Sequence, residues 1–371
     1  MDLIIDKTYK ITKKLGNGSF GDIYHATNLK DNSEVAVKLE PLSSKQPQLE
    51  FEASLYQYLY KKNSTTYKGL PHVYQFTKEG EYNAMVLEML GPSLEDLFEQ
   101  CNRRFSLKTI LMIADQMLER IEFLHSRKFI HRDIKPTNFL VGLGRNQHMI
   151  YLIDLGLAKR FMINNVHIPY EENKELMGTT RYVSINTHLG IEQGRRDDLE
   201  SICYVLVYFF RGSLPWQNIK TGCQEEKDER IMQKKLNIAP EVLCKGMPEE
   251  FVTLLMYCRN LKFDDEPDYA YMRNLLKELF IKNGYEMDYH YDWDVKSIKN
   301  DRLNSSLCKN IKIFCLLMMI VELLKIEEEY SKSKEEKSID KDKEKELIIK
   351  GSLDNTPNSI NSMNSMVRYI R

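Results

Sequence analysis

The chain has 371 residues, of which 53 are Lys or Arg and 54 are Asp or Glu, for a formal net charge of −1. That length suffices for two lobes around a cleft, or for one large domain with a tail. The balanced charge speaks against a dedicated nucleic-acid binder, which needs a visible basic excess to neutralise phosphates. Seven cysteines are scattered without a CxxC pair or a zinc-ligand spacing, so free thiols in a reducing compartment are expected. Residues 1–6 carry neither the basic segment nor the long apolar core of a secretory signal, and Asp2 excludes myristoylation. The expected address is the cytoplasm, with the nucleus as a second.

Residues 9–40 read as strands. Tyr9-Lys10-Ile11 leads into Leu15-Gly16-Asn17-Gly18-Ser19-Phe20-Gly21, then Ile23-Tyr24-His25-Ala26, a turn around Asp31-Asn32, and Val35-Ala36-Val37-Lys38-Leu39. Gly16, Gly18 and Gly21 let backbone N–H groups approach phosphate oxygens with no Cβ in the way. Such a pattern alone reads equally well as a glycine-rich turn. A dinucleotide-binding fold needs a helix straight after the third glycine, whereas here the sequence continues as strand. Lys38, ending an apolar strand beyond the glycines, then favours the nucleotide-binding lysine of protein kinases.

Residues 47–59 have apolar positions at helical spacing and offer Glu50 and Glu52, either of which can orient a buried lysine near phosphates. Ala84-Met85-Val86-Leu87-Glu88 is a buried strand, and Met89-Leu90-Gly91-Pro92 a connector whose backbone, at Glu88 and Leu90, faces a purine edge. From Leu94 the pattern turns helical, most clearly over residues 107–124.

The centre of the chain is His131-Arg132-Asp133-Ile134-Lys135-Pro136-Thr137-Asn138, followed after a short apolar stretch by Asp154-Leu155-Gly156. Asp133 is expected to accept or orient the proton of an attacking hydroxyl, and Lys135 to neutralise charge on a transferred phosphoryl group. Asn138 and Asp154 are expected to hold Mg²⁺, which borrows its remaining ligands from ATP and water. Singly, each is as common as a capping Asp or a surface Lys; in this order they indicate phosphoryl transfer.

The chain resembles a eukaryotic protein kinase, and specifically the casein kinase 1 family. In place of an Ala-Pro-Glu triplet it carries Ser184-Ile185-Asn186, continuing through Arg195-Arg196-Asp197-Asp198-Leu199-Glu200-Ser201. Leu90-Gly91-Pro92-Ser93-Leu94-Glu95-Asp96, Gly212-Ser213-Leu214-Pro215-Trp216 and Phe263-Asp264-Asp265-Glu266-Pro267-Asp268-Tyr269 add to the likeness, which covers roughly residues 9–295. It implies an α+β, bilobal fold: a small antiparallel β-rich N-lobe over residues 1–88, a larger α-helical C-lobe over 89–296, and a C-terminal extension over 297–371. It implies Lys38 and Glu52 as an ion pair, Leu90 as the adenine-contacting connector residue, and Asp198 as an anchor of the catalytic-loop backbone. Gly16, Gly18, Gly21, Ile23, Ala36 and Glu88 complete the expected nucleotide site. Family members prefer acidic or already phosphorylated protein substrates, and Gly178, Arg181 and Lys227, with Lys174 nearby, match their anion-binding site. A monomeric serine/threonine kinase, active without phosphorylation of its activation segment, is the expected protein. A nucleotide-bound scaffold would normally have lost Lys38, Asp133 or Asp154, and none is missing.

The sequence departs from the family pattern in three places. The metal loop has Leu155 where kinases generally have Phe, Thr137 stands where an acidic residue is usual, and residues 222–228 are acidic where many relatives are basic. The last of these weakens both the anion site and any nuclear-import reading. Beyond residue 296, the apolar run 311–321 is too short and too closely flanked by charge for a membrane span, so a docking helix is expected there and a membrane anchor is the less favoured reading. Residues 325–350 alternate Lys and Glu as a solvated helix or linker. Thr356, Ser359, Ser362 and Ser365, spaced by three, form a candidate phosphorylation relay able to occupy the anion site.

Overall fold

In a computed structural model of the chain, the described residues are 3–18, 21–61 and 69–294. Of the two compact units into which the chain divides, the first, Met1–Ser297, contains all of them. The apolar run 311–321, the Lys/Glu stretch and the candidate relay lie outside the described residues, as do Ser19 and Phe20 of the glycine-rich loop. No helix among the described residues is long and apolar enough to cross a membrane.

The N-terminal part is a six-stranded sheet in the order β1-β2-β3-β4-β6-β5, built from β1 (Ile4–Ile5), β2 (Tyr9–Gly18), β3 (Gly21–Asn28), β4 (Glu34–Pro41), β5 (Val73–Glu79) and β6 (Tyr82–Glu88). All pairings are antiparallel. The turn expected around Asp31-Asn32 joins β3 to β4, with Asn32 in the left-handed region at φ 60° and the Ser33 N–H bonded to Asp31 Oδ1 at 2.9 Å.

The two-residue period of β4 divides its side chains between the sheet faces. Val35, Val37 and Leu39 enter an apolar cluster with Ile11, Ala26 and Val86. Ala36, Lys38 and Glu40 alternate with them, and each of the last two is committed to a polar partner. Glu40 Oε1 accepts the Gln48 and Leu49 N–H groups at 2.7 and 3.1 Å, while Oε2 takes the Asn83 amide at 3.1 Å. The start of α1 (Leu49–Lys61) is thereby fixed to the same strand that carries Lys38.

The C-terminal part is helical. After α2 (Leu94–Gln100), α3 (Leu107–Ser126) runs through its core, packed against α5 (Arg195–Arg211) and α9 (Tyr269–Lys282), with α8 (Glu249–Asn260) against both of the latter. Ser93 and Asp96 form a capping box on α2, and the Ser106 hydroxyl caps α3. Short strands lie between α3 and α5: β7 (Phe129–Ile130), β8 (Phe139–Val141), β9 (Ile150–Leu152), β10 (Lys159–Arg160), β11 (Met162–Ile163) and β12 (Val166–His167), followed by the short α4 (Ile185–His188). Between α5 and α8 come α6 (Gln224–Asn237) and the short α7 (Pro240–Leu243). The result is an α+β fold with a β-rich N-terminal part and a helical C-terminal part.

Candidate active site

A cleft of about 680 Å³ is lined from the sheet by Gly16, Gly18, Ile23, Ala36, Lys38 and Glu88, from the connector by Leu90, and from below by Lys135, Asn138 and Asp154. At its closed end the buried Lys38 Nζ lies 2.7 Å from Glu52 Oε2 and 2.8 Å from Asp154 Oδ1. Burial alone would push this ammonium down, but the two carboxylates outweigh it and hold the group above its ordinary value. Burial likewise opposes ionisation of Asp154, and Lys38 overcomes it and keeps the carboxyl below the usual range. Of the two candidate carboxylates on α1, Glu52 points inward, whereas Glu50 is exposed and 3.8 Å from Lys78 on the outer surface.

The hairpin of β8 and β9 explains how residues far apart in sequence meet here. Phe139 pairs with Leu152, and the Ile153 N–H bonds to Asn138 O at 2.9 Å, so Asn138 and Asp154 emerge at the same end. Asp154 adopts the left-handed conformation, φ 62° and ψ 69°. This conformation turns its carboxylate to Lys38 while Leu155 is fully buried and donates its N–H to Glu52 Oε1 at 3.1 Å. Leucine therefore fills the apolar slot without displacing the aspartate.

The glycine-rich loop closes the cleft from above. A Cβ on Gly21 would stand 2.2 Å from Leu39 O, a contact that only glycine avoids. Gly18, opposite Gly21 in the register, would place a Cβ 3.1 Å from Gly21 O, while Gly16 has open space around it. In the connector Leu90 is 8% exposed, and no protein group among the described residues takes its backbone N–H or C=O. These backbone groups at the cleft wall are left to a ligand or to water. The Glu88 N–H is bonded to His72 O at 2.8 Å.

Asp133, 5% exposed, lies beside this cleft. Its Oδ1 accepts the Thr179 N–H at 2.9 Å and the Thr179 hydroxyl at 2.7 Å; its Oδ2 takes Lys135 Nζ at 2.6 Å. The Asn138 amide donates to Asp133 O at 2.9 Å. The loop carrying these groups is fixed from inside: Asp198 accepts the His131 N–H at 2.7 Å, the Arg132 N–H at 2.9 Å and His125 Nε2 at 2.8 Å. Burial would raise the Asp198 carboxyl, yet these donors hold it below its ordinary value.

Arg132 donates Nε to Leu157 O at 2.7 Å. Near it stands the buried Glu192, whose Oε2 is 2.8 Å from Lys159 Nζ and 3.5 Å from Lys174 Nζ; Lys174 is also paired with Glu171. One internal carboxylate thus joins the catalytic loop, β10 and the following segment electrostatically. Lys174, expected near the anion site, is thus engaged by Glu171 and Glu192.

A second hollow, of about 520 Å³, adjoins the cleft and shares Lys135 and Thr137 with it. Thr179, Thr180, Arg181, Glu95, Trp216 and Lys227 line it further. Among the described residues neither Arg181 nor Lys227 has a carboxylate within 4.0 Å. Gly178 does not line the hollow; its φ of 105° and a Cβ-to-Arg132 O distance of 2.4 Å show that it lets the segment pass the catalytic loop. The acidic residues 225 and 226 are the first turn of α6, where they complement the helix dipole, and Glu226 is spent on the Gly222 N–H and Arg230.

Sequence reading missed Thr179, Glu192 and Glu40. Thr179 had a signal, a hydroxyl between the conformationally demanding Gly178 and Arg181; the other two become visible only through the tertiary pairing of distant segments.

The fold and this cleft describe a phosphotransferase of the kinase class. The family model described as protein kinase domain matches residues 9–281, and the chain belongs to that family. Membership brings ATP as phosphoryl donor, a divalent metal ion as cofactor and protein as acceptor. The residues present fit such an ion. Among the described residues no cluster of three or more His, Cys, Asp or Glu could form an all-protein cage. One carboxylate and one amide, Asp154 and Asn138, suit a hard cation that takes its other oxygens from polyphosphate and water.

Proposed function

We propose that this protein is a serine/threonine protein kinase of the casein kinase 1 type, transferring the γ-phosphate of ATP to Ser or Thr hydroxyls of acidic or already phosphorylated proteins. The observation that carries the reading is the adjacency of two sites. Asp133, held between Thr179 and Lys135, stands where the nucleotide cleft meets a hollow containing two cations without carboxylate partners.

In this mechanism Gly16, Gly18 and Gly21 cover the phosphates, Ile23 and Ala36 flank the base, and the Glu88 and Leu90 backbone hydrogen-bonds its edge. Lys38, oriented by Glu52, holds phosphate oxygens. Asn138 and Asp154 would hold Mg²⁺, which would supply charge neutralisation for the phosphates. Asp133 accepts the proton of the acceptor hydroxyl, and Lys135 stabilises negative charge on the moving phosphoryl group. Arg181 and Lys227 receive the acidic or phosphorylated residue of the substrate; Lys174 is assigned to the Glu192 cluster instead. The presence and mutual bonding of Lys38, Glu52 and Asp154 weigh against a catalytically dead scaffold.

Glu192 supports activity without phosphorylation of the activation segment, because it already supplies a negative charge to Lys159, Lys174 and Arg132. We take residues 1–88 and 89–296 as the two lobes and 297–371 as an extension, and the enzyme as a monomer of the cytoplasm. The test is transfer of labelled phosphate from ATP to paired serine peptides, with and without an acidic or phosphorylated residue three positions upstream. Faster labelling of the acidic member supports the reading; equal labelling, or labelling of tyrosine peptides alone, contradicts it.

A further inference from the structure

Lys235, on α6, is fully buried. Its Nζ donates to Thr180 O at 2.9 Å and to Val183 O at 2.6 Å, and lies 5.0 and 5.2 Å from the ring centroids of Tyr204 and Trp216. No carboxylate among the described residues comes within 4.0 Å of it, since Glu200 is taken up by Tyr204, Arg259 and the Ile185 N–H. A buried cation with no carboxylate in contact is expensive, and the more distant attraction of Glu200 and Asp228 offsets only part of the cost of its burial. What the amine does make is two hydrogen bonds to the backbone of residues 180–183. Trp216 makes a parallel contact, donating Nε1 to Arg181 O at 2.8 Å. Three carbonyls within residues 180–183 are therefore held from the protein interior, and these are the residues that present Arg181 to the hollow.

We infer that Lys235, with Trp216, is a positioning residue for the peptide-binding segment: it sets the backbone of residues 180–183 so that Arg181 meets the substrate's acidic group. This rests on the reading of the hollow as the peptide site. Burial pushes the Lys235 ammonium down to about 7. The neutral amine would still carry two N–H groups, matching the two carbonyls, so the contact does not require the charge.

The test compares steady-state kinetics of the full chain with Lys235→Met, Trp216→Phe and Arg181→Ala variants, on an acidic serine peptide. Lys235→Met removes the donors and keeps the length; Trp216→Phe removes one donor and keeps an aromatic ring. The expected result is a peptide KM raised at least tenfold by Lys235→Met and by a smaller factor by Trp216→Phe, with the ATP KM changed less than twofold. A peptide KM within twofold of the parent for folded Lys235→Met, while Arg181→Ala raises it, overturns the inference alone. Parallel rises in both KM values reveal a general structural role and overturn it too. If Arg181→Ala leaves the peptide KM unchanged, the reading of the hollow fails and the inference with it. Should Lys235→Met not fold, Trp216→Phe decides by the same criteria.

Discussion

Lys38 Nζ lies 2.7 Å from Glu52 Oε2, both side chains are buried, and the pair ties strand β4 to helix α1. Glu40, two residues from Lys38 on the same strand face, fixes the N-terminus of the helix that supplies Glu52. The geometry of the pair is thus set twice from one strand. Glu52→Gln should lower kcat/KM about 10²-fold, the usual effect of removing one preorganised electrostatic contact. Glu40→Gln should give a smaller loss of the same kind by loosening α1. Steady-state kinetics with ATP varied would check both; a Glu52→Gln enzyme within twofold of the parent would show that the pair does not orient Lys38.

Asp198 touches no part of the cleft, yet it accepts two catalytic-loop N–H groups and a His125 ring nitrogen. Asp198→Ala leaves these buried donors unpaired and should cost about 3 kcal/mol of stability. Urea denaturation would measure it. An unchanged midpoint would mean that water replaces the carboxylate without penalty.

Glu192 gathers Lys159 and Lys174, with Arg132 nearby. Protein made in bacteria and treated with phosphatase should be active, and Glu192→Gln should reduce its kcat about tenfold by removing the carboxylate that faces Lys159 and Arg132, while Lys174 keeps Glu171. Inactivity of the phosphatase-treated parent would contradict activity without phosphorylation.

Stability should depend on His188. Burial, followed by repulsion from Lys235, lowers its pKa from the ordinary 6.5 to about 3. Between these values the unfolded chain binds the proton and the folded chain does not, so stability is full above about pH 6.5 and falls as pH drops through that window. Denaturation midpoints at pH 7 and pH 5 should differ, and His188→Asn should shrink the difference. An unaltered difference in that variant would assign the acid sensitivity to other groups, such as the buried His125, whose burial also lowers its pKa.

Much of this site was legible in the sequence because local chemistry dictates it. Val35-Ala36-Val37-Lys38 following the glycines marked the lysine, which the sheet sets on the face opposite the apolar cluster, and Gly21, expected for close approach to phosphates, also stands where Leu39 O leaves no room for a Cβ. The short apolar stretch expected between Asn138 and Asp154 is the β8–β9 hairpin. What was not legible depends on distant segments meeting. Lys174 and Arg181 are neighbours in sequence, but Glu171 and Glu192 claim the lysine. The acidic stretch at residues 222–228, read as weakening the anion site, places Glu225 and Glu226 in the first turn of α6, with Glu226 engaged by Arg230.

Phosphoryl transfer centred on Asp133 is tested most directly by Asp133→Asn, which keeps the side-chain shape and the capacity to accept from Thr179 while removing the proton acceptor. With saturating ATP and Mg²⁺ and an acidic serine peptide, the parent should phosphorylate the serine, and the variant should lose at least about 10²-fold in kcat with little change in its ATP KM. A variant that retains the parental kcat would contradict the assignment of Asp133.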